Sequence, residues 1–379
     1  MYEKIDKKIV DKIVTLNKTN SKLDCIILSR EYEKTKKELY SILGSDICEL
    51  PIISGFAVEC NTNTLYKIAK LNCVKFISSD MKVNSLMYKT NNFLHTLDLK
   101  EKSRGNALHS VVVIDTGVYP HIDFCLGKNR IIKFVDLINN KVDCYDDNGH
   151  GTFVTGVLAG NSFIDKYSGI DNNANIIVIK ALNNDGETTS IKILQAMQWV
   201  LDNCKKYNIK VVCMSFGSLI GDKNDPLMFG VEVLWNNGIT VVCAGGNSGP
   251  ELSTIMSPGA SKKVITVGAL DEIDNRIAVA NFSSRGPVNN YYKPDLLVPG
   301  VNIISTNVFK FNKKFYTRMT GTSVSTPMVA GVASLLLNIN PNYTPDQIKY
   351  MLARACVKIT GDRNSEGFGY LDVNKIVLL

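Results

Sequence analysis

The chain has 379 residues and a mass of 41.9 kDa, which is enough for two domains of ordinary size. Hydrophobic residues make up 45% and charged residues 21% of it, so neither wholesale disorder nor a fibrous repeat is expected. The net charge of +7 is spread thinly, without basic runs interleaved with aromatic residues, which argues against a nucleic-acid partner. No apolar stretch reaches the roughly 18 residues of a membrane-spanning helix, so we expect no membrane partner either.

The N-terminus and the cysteines bear on the cellular compartment. The first eight residues, 1–8, carry charges of both signs and no apolar core follows them, so we predict no secretory signal peptide. None of the ten cysteines lies in a CxxC pair, and Cys25, Cys213 and Cys243 lie within apolar runs. This pattern is typical of buried, reduced thiols, and it favours a cytoplasmic protein over a disulfide framework or a zinc site.

The first region of the chain alternates short strands and helices. Apolar runs predict its strands, helical periodicity predicts its helices, and Gly44 marks the end of the first helix. The predicted elements are a strand at 23–28, a helix at 31–43, strands at 47–53 and 55–60, a helix at 62–71 and a strand at 74–77. This β-α-β-β-α-β order predicts a small ferredoxin-like α+β domain, which we assign to residues 1–83. The polar stretch 84–104 shows little periodicity and is interpreted as a linker.

Residues 105–379 follow a different pattern, in which continuously apolar strands alternate with helices. Strands are predicted at 110–114, 176–179, 210–214, 239–243 and 264–267, and helices at 190–204 and 226–236. Another helix is predicted to begin after Thr344, which can form a capping box with Gln347. Strands that are apolar on both faces indicate a doubly wound, mostly parallel α/β sheet that is covered by helices on both sides. Such sheets bind ligands in the crevice at the carboxyl ends of their strands.

Four polar residues are predicted at strand ends or helix starts in this second region. Asp115 follows the first strand and, taken alone, is better explained as a turn-forming aspartate. His150 lies between two glycines at a predicted helix start, where a purely structural role explains it less well. Ser323 begins a helix in which other hydroxyls can serve as the cap, so its own hydroxyl is available for another role. Asn247 follows a strand and, taken alone, is consistent with a left-handed turn.

Together these segments resemble the subtilisin-like serine proteases, the subtilases. The matching segments are Asp115-Thr116-Gly117, His150-Gly151-Thr152 and 321–327, and their order of Asp, His and Ser is that of subtilisin itself. The resemblance covers about residues 105–373 and implies a subtilisin-like fold with serine endopeptidase activity on proteins or peptides. By the same resemblance, residues 1–83 are similar to the inhibitory, chaperone-like propeptide of the family. The chain is therefore expected to be a zymogen that processes itself.

The chemistry of this family explains why these residue types are needed. A serine hydroxyl is a weak nucleophile, so His150 would take the proton of Ser323 and return it to the leaving amine. Asp115 would hold the imidazole tautomer and stabilise the imidazolium. The oxyanion of the tetrahedral intermediate would be bound by the side-chain amide of Asn247 and the backbone N–H of Ser323. No cofactor is required for these steps.

The resemblance also implies the position of the substrate cleft. Ser215-Phe216-Gly217 matches the strand that pairs with the substrate backbone, and Ala244-Gly245-Gly246 matches the opposite wall of the S1 pocket. Met256 stands where many relatives have a glycine at the base of this pocket. We therefore expect a shortened pocket with a preference for small or slim P1 residues.

Asp123 is the one candidate metal ligand. It matches a calcium ligand of many relatives, but the loop expected to supply its partners, 161–168, matches poorly. A structural calcium ion is therefore left open.

Three interpretations of the whole chain remain open. The first is a cytoplasmic zymogen that makes its first cut between Asp80 and Thr90 and then cleaves another protein, with the propeptide tail in the cleft until it is removed. The second is a catalytically silent or propeptide-locked subtilase that acts as a binding or regulatory scaffold. The third is a protease exported by an unconventional route, and an association with spores is also left open.

Overall fold

The computed structural model contains a small N-terminal domain and a larger domain that is built on a ten-stranded sheet. The structure describes residues 4–16, 22–85, 97–103, 109–162, 167–220, 224–273, 276–309 and 314–376. One hydrophobic cluster lies within the N-terminal domain, and the largest cluster lies within the second domain. Four residues of the first domain join this largest cluster, namely Ile26, Leu50, Ile52 and Ala57. The two domains therefore share an apolar interface.

The N-terminal domain has the predicted ferredoxin-like order of elements, preceded by a helix that was not predicted. Its elements are α1 (Lys7–Leu16), β1 (Lys22–Ser29), α2 (Tyr32–Leu43), β2 (Ile47–Leu50), β3 (Gly55–Asn61), α3 (Thr62–Ala69) and β4 (Val74–Ser79). The antiparallel sheet has the order β2-β3-β1-β4. The strand predicted at 47–53 ends early, at Leu50, because Pro51 lacks a donor for the ladder and begins a short 3₁₀ turn, Pro51–Ile53.

The stretch interpreted as a linker carries regular structure. β5 (Lys82–Ser85) pairs antiparallel with β9 (Glu187–Thr189) and β11 (Phe216–Gly217), and α4 (Leu97–Lys102) follows it. The boundary that we predicted after residue 83 therefore falls inside a strand. Periodicity could not reveal β5, because its hydrogen-bond partners come from distant parts of the chain. The rest of the predicted linker, residues 86–96 and 104, lies outside the described residues.

The larger domain is the predicted doubly wound, mostly parallel α/β fold. Its sheet has the order β18-β19-β15-β13-β12-β10-β6-β8-β7, with β14 paired to β13, and only the pairs that involve β14 and β18 are antiparallel. The strands are β6 (Ser110–Asp115), β7 (Ile131–Asp136), β8 (Asn175–Lys180), β10 (Ile209–Met214), β12 (Thr240–Ala244), β13 (Ile265–Ile273), β14 (Arg276–Val279), β15 (Leu296–Pro299), β18 (Cys356–Val357) and β19 (Tyr370–Leu371). A separate hairpin is formed by β16 (Ile303–Thr306) and β17 (Tyr316–Met319).

Helices cover both faces of this sheet. They are α5 (Ile122–Cys125), α6 (His150–Ala159), α7 (Ser190–Asn203), α8 (Pro226–Asn236), α9 (Thr322–Ile339), α10 (Pro345–Arg354), α11 (Arg363–Glu366) and α12 (Val373–Ile376). The predicted capping box of α10 is present between Thr344 and Gln347. α9 is long and apolar enough to cross a membrane, but 89% of it is buried, as expected for the core helix of a globular domain.

The cysteines are buried or half-buried. All ten are free thiols, and five of them are buried, namely Cys25, Cys60, Cys73, Cys213 and Cys243. Burial raises the pKa of Cys243 to about 12, so this thiol is protonated and inert at neutral pH. These cysteines contribute apolar packing and no cross-links.

Candidate active site

Asp115 and His150 meet at the carboxyl edge of the sheet. Asp115 ends the fully buried strand β6, and His150 begins α6. The Nδ1 atom of His150 lies 2.7 Å from Oδ1 of Asp115, and neither side chain is exposed. The same carboxylate oxygen accepts the Thr116 backbone N–H at 2.7 Å. A buried carboxylate on Nδ1 fixes the tautomer that leaves Nε2 able to accept a proton.

The approach of β6 to α6 depends on a glycine. A Cβ atom on Gly151 would lie 2.2 Å from the carbonyl oxygen of Gly117 and 3.1 Å from the Cβ atom of Asp115. No other residue fits there without moving the backbone. The glycine after His150 therefore permits the contact between His150 and Asp115.

Asp146 links the turn after Asp115 to the turn before His150. Its carboxylate accepts five hydrogen bonds, from groups of Thr116, Asn148, Gly149 and Thr152. The Thr116 hydroxyl in turn accepts the Gly151 N–H at 2.8 Å. The two turns that carry the predicted acid and base are thus joined by a buried polar network.

Ser323 and Asn247 meet at the N-terminus of α9. Ser323 is the second residue of this helix, where backbone N–H groups lack intrahelical acceptors, and it is buried. The Oδ1 atom of Asn247 accepts both the N–H and the hydroxyl of Thr322, each at 2.9 Å. Its Nδ2 atom is buried and has no hydrogen-bond partner among the residues that the structure describes. The amide group is thus held by its oxygen and leaves its donor available, as an oxyanion hole requires.

The predicted substrate strand is already paired with a segment of the chain itself. Ser215 is buried and precedes β11, where Gly217 lies opposite Asn84 and Phe216 lies opposite Ser85. On its other side, β5 pairs with β9. β5 is antiparallel to β11, so the C-terminal end of β5 lies toward Ser215. Ser215 follows β10 at the carboxyl edge of the sheet, where Asp115 also lies.

The two predicted walls of the S1 pocket enclose Met256. A Cβ atom on Gly217 would lie 2.8 Å from the Cβ atom of Met256, and one on Gly246 would lie 2.9 Å from its Cγ atom. The Met256 N–H donates to the carbonyl of Gly245 at 2.9 Å, and Ala244 ends the adjacent strand β12. Met256 therefore fills space between two glycines, which is the geometry that a shortened pocket would have.

Asp123 lies among protein donors. Its Oδ1 atom accepts the Tyr316 hydroxyl at 2.8 Å, and its Oδ2 atom accepts the Ser162 N–H at 3.0 Å. Within the described parts of the chain, no group of three or more His, Cys, Asp or Glu side chains could hold a metal ion. Residues 163–166 of the loop predicted to complete a calcium site lie outside those parts. The described residues around Asp123 therefore give the calcium prediction no support.

Sequence reasoning missed two ionisable groups beside the cleft, the half-buried Asp80 and the buried Lys180. The Oδ1 atom of Asp80 accepts the Ile191 N–H at 3.2 Å, at the start of α7, and burial raises the pKa of Asp80 to about 6. Lys180, at the end of β8, is fully buried. A lysine between Ile179 and Ala181, inside an otherwise apolar run, is a signal that the sequence does contain.

Comparisons with known proteins show to which family the chain is related. The model of the subtilase family matches residues 108–370. Serine protease AprX of Bacillus subtilis is 42% identical over 299 residues, which cover 71% of this chain and 66% of the relative. Subtilisin DY of Bacillus licheniformis is 32% identical over 266 residues, which cover 69% of this chain and 88% of the relative.

The fold has a counterpart among solved structures. The crystal structure of fervidolysin from Fervidobacterium pennivorans, a keratinolytic enzyme related to subtilisin, matches with a TM-score of 0.77 at 20% identity, over 95% of this chain and 61% of that chain. The fold is that of the subtilisin-like serine proteases. The chain belongs to the subtilase family.

Proposed function

We propose that the protein is a zymogen that hydrolyses peptide bonds through Asp115, His150 and Ser323 and removes its own N-terminal domain. The observation that carries this proposal is the Asp115–His150 hydrogen bond of 2.7 Å in a chain whose own strand β5 occupies the substrate strand position. Ser323 attacks the scissile carbonyl, His150 accepts its proton, and Asp115 stabilises the imidazolium. The Asn247 amide and the Ser323 N–H bind the oxyanion, and water then hydrolyses the acyl-enzyme.

In this proposal the N-terminal domain is an inhibitory propeptide. Support comes from β5, which is bound on both sides by cleft strands, and from the shared apolar interface of the two domains. Lys8 adds a contact from α1, since its Nζ atom donates to the Ile220 carbonyl at 3.3 Å. Residues 82–85 are held in strand pairing, and β5 is directed toward Ser215. The first cut is thus expected after Ser85 and before Thr90, in a segment outside the described residues.

The test is the intact mass of purified wild type beside Ser323→Ala. We expect wild type to lose the segment that ends between Ser85 and Thr90, while the variant stays at 41.9 kDa. A matched control is Ser334→Ala, which removes a buried hydroxyl from the same helix and should process normally. If wild type and Ser323→Ala both keep the full mass, self-processing is refuted and the propeptide-locked scaffold becomes the better interpretation.

We further propose that Met256 restricts the S1 pocket to small or slim P1 side chains. Its position between Gly217 and Gly246 supports this, because a bulky P1 group would need the same space. We expect Met256→Ala to raise kcat/KM for a Phe P1 peptide, relative to an Ala P1 peptide, by about tenfold or more. Met351→Ala, on the distant helix α10, is the matched control and should leave the ratio unchanged. A wild-type peptide-library profile dominated by Phe or Tyr at P1 would rule the restriction out.

A cytoplasmic location is also a proposal, and the ten free thiols support it because reduced cysteines are typical of that compartment.

A further inference from the structure

Lys180 occupies an unusual position at the carboxyl edge of the sheet. Its side chain is fully buried, and its Nζ atom donates to the Thr116 carbonyl at 2.6 Å, to Oδ1 of Asp147 at 2.7 Å and to the Leu182 carbonyl at 3.0 Å. Three donated bonds require the charged ammonium form, because a neutral amine has only two N–H groups. A full positive charge is therefore buried at this edge.

The three acceptors belong to the three turns that form this side of the site. Thr116 follows Asp115, Asp147 lies three residues before His150, and Leu182 lies in the connection to β9. Lys180 is also the register partner of Asp115 in the pairing of β8 with β6. The Lys180 ammonium group thus joins the turn that follows Asp115 to the turn that precedes His150 and fixes the distance between them.

The charges around this ammonium can be named for each element packed against it. Strand β6 contributes Asp115, the turn before α6 contributes Asp146 and Asp147, and α6 begins with His150. The centroid of the Tyr145 ring lies 5.1 Å from Nζ. The connection from β8 to β9 carries Asp185, and Glu187 begins β9. Strand β7, on the other side of β8, places the buried Asp136 opposite Lys180, where its carboxylate accepts the Tyr145 hydroxyl. The side chain of Asp147 is 39% exposed, so solvent weakens its compensation of the lysine charge.

We propose that Lys180 is a positioning residue for the catalytic acid–base pair, and that its charge limits how readily His150 becomes protonated in the resting enzyme. A positive charge near an imidazole destabilises the imidazolium and so keeps the base in its neutral, proton-accepting form at neutral pH. This inference rests on the proposed triad, since it concerns the same Asp115–His150 bond.

A second buried lysine supplies a matched control. Lys293 is equally buried and donates to Asp295 and Thr266 at 2.6 Å and to the Val264 carbonyl at 3.0 Å. These partners lie at or just before the amino ends of β13 and β15, which is the opposite end of the sheet from the site. Loss of either lysine removes a buried amino group, but only Lys180 lies opposite Asp115 in the sheet.

The experiment follows the downfield proton resonance of the short His150–Asp115 hydrogen bond by NMR as a function of pH. The full-length chain carries Ser323→Ala, so that no processing or turnover is needed. We expect Lys180→Met to move the midpoint of this titration up by about half to one pH unit. Lys180→Arg should restore most of the parent behaviour, and Lys293→Met should leave the midpoint unchanged. Asp147→Asn removes the compensating charge and should move the midpoint down.

The outcomes separate this inference from the proposed function. If the Ser323→Ala parent shows no downfield resonance, the hydrogen bond between Asp115 and His150 is absent. That result would refute both the proposed triad and the proposed role of Lys180. If the parent shows the resonance but Lys180→Met titrates with the parent midpoint, the triad stands and the role of Lys180 is overturned. Should Lys180→Met fail to fold, an unmoved midpoint in Asp147→Asn overturns the role in the same way.

Discussion

Replacement of Asp115 by asparagine is expected to slow peptide-bond hydrolysis by about 10⁴-fold at neutral pH. The Asp115 carboxylate accepts a hydrogen bond from Nδ1–H of His150 at 2.7 Å in a site that excludes solvent. An asparagine can turn its NH₂ group toward Nδ1, and the imidazole then carries its proton on Nε2. In that tautomer His150 cannot take the proton of Ser323, although the shape of the site is unchanged.

The rate of the first cut in the full-length chain measures this effect without an added substrate. Wild type and Asp115→Asn are compared by the time course of intact mass after refolding. Asp171→Asn is the matched control, because Asp171 is also a buried aspartate but bonds to Ser334 and Asn338, outside the proposed triad. If Asp115→Asn slows the first cut by less than tenfold, the Asp115 carboxylate does not orient His150 for catalysis.

The central strands were predictable because each is a continuous apolar run between polar residues. The observed bounds of β6 and β10 differ from the predicted ones by a single residue. Strand β7 escaped prediction because it lies at the edge of the sheet, where Ile132 and Lys133 face solvent and interrupt the apolar run. β13 extends to Ile273, beyond the predicted end at 267, because its last residues pair with β14 in a hairpin.

Sequence motifs indicated the candidate site residues, but they did not indicate the residues that hold them in position. Asp115, His150 and Ser323 stand in short motifs whose order carries the resemblance, and glycines flank them where backbones approach closely. Asp146 and Lys180 have no such motif, since their importance lies in hydrogen bonds between turns that are distant in sequence. For the same reason β5 was interpreted as part of a linker. Its conformation is imposed by β9 and β11, and single-chain periodicity contains no information about that pairing.

Removal of the Asn247 amide is the second change with a large expected effect. We expect Asn247→Ala to lower kcat by about 10²–10³-fold with little change in KM, a magnitude known for subtilisin rather than obtained from this geometry. The physical reason is that Nδ2 is buried and has no partner among the described residues, so it is available for charge that develops only in the transition state. A donor that acts only at that stage changes kcat and leaves substrate binding intact.

Asn247 also has a structural role, and the variant Asn247→Asp distinguishes this role from binding of the oxyanion. Its Oδ1 atom accepts both the N–H and the hydroxyl of Thr322 and so helps to hold the start of α9. Asn247→Asp keeps this acceptor but replaces the donor by a carboxylate oxygen. If the amide stabilises the oxyanion, the aspartate variant should be at least as slow as Asn247→Ala, because a negative charge then faces the developing oxyanion. If the residue acts only by holding α9, Asn247→Asp should recover most of the wild-type kcat. Asn237→Ala, at the exposed end of α8, is the control for a lost asparagine and should retain full activity.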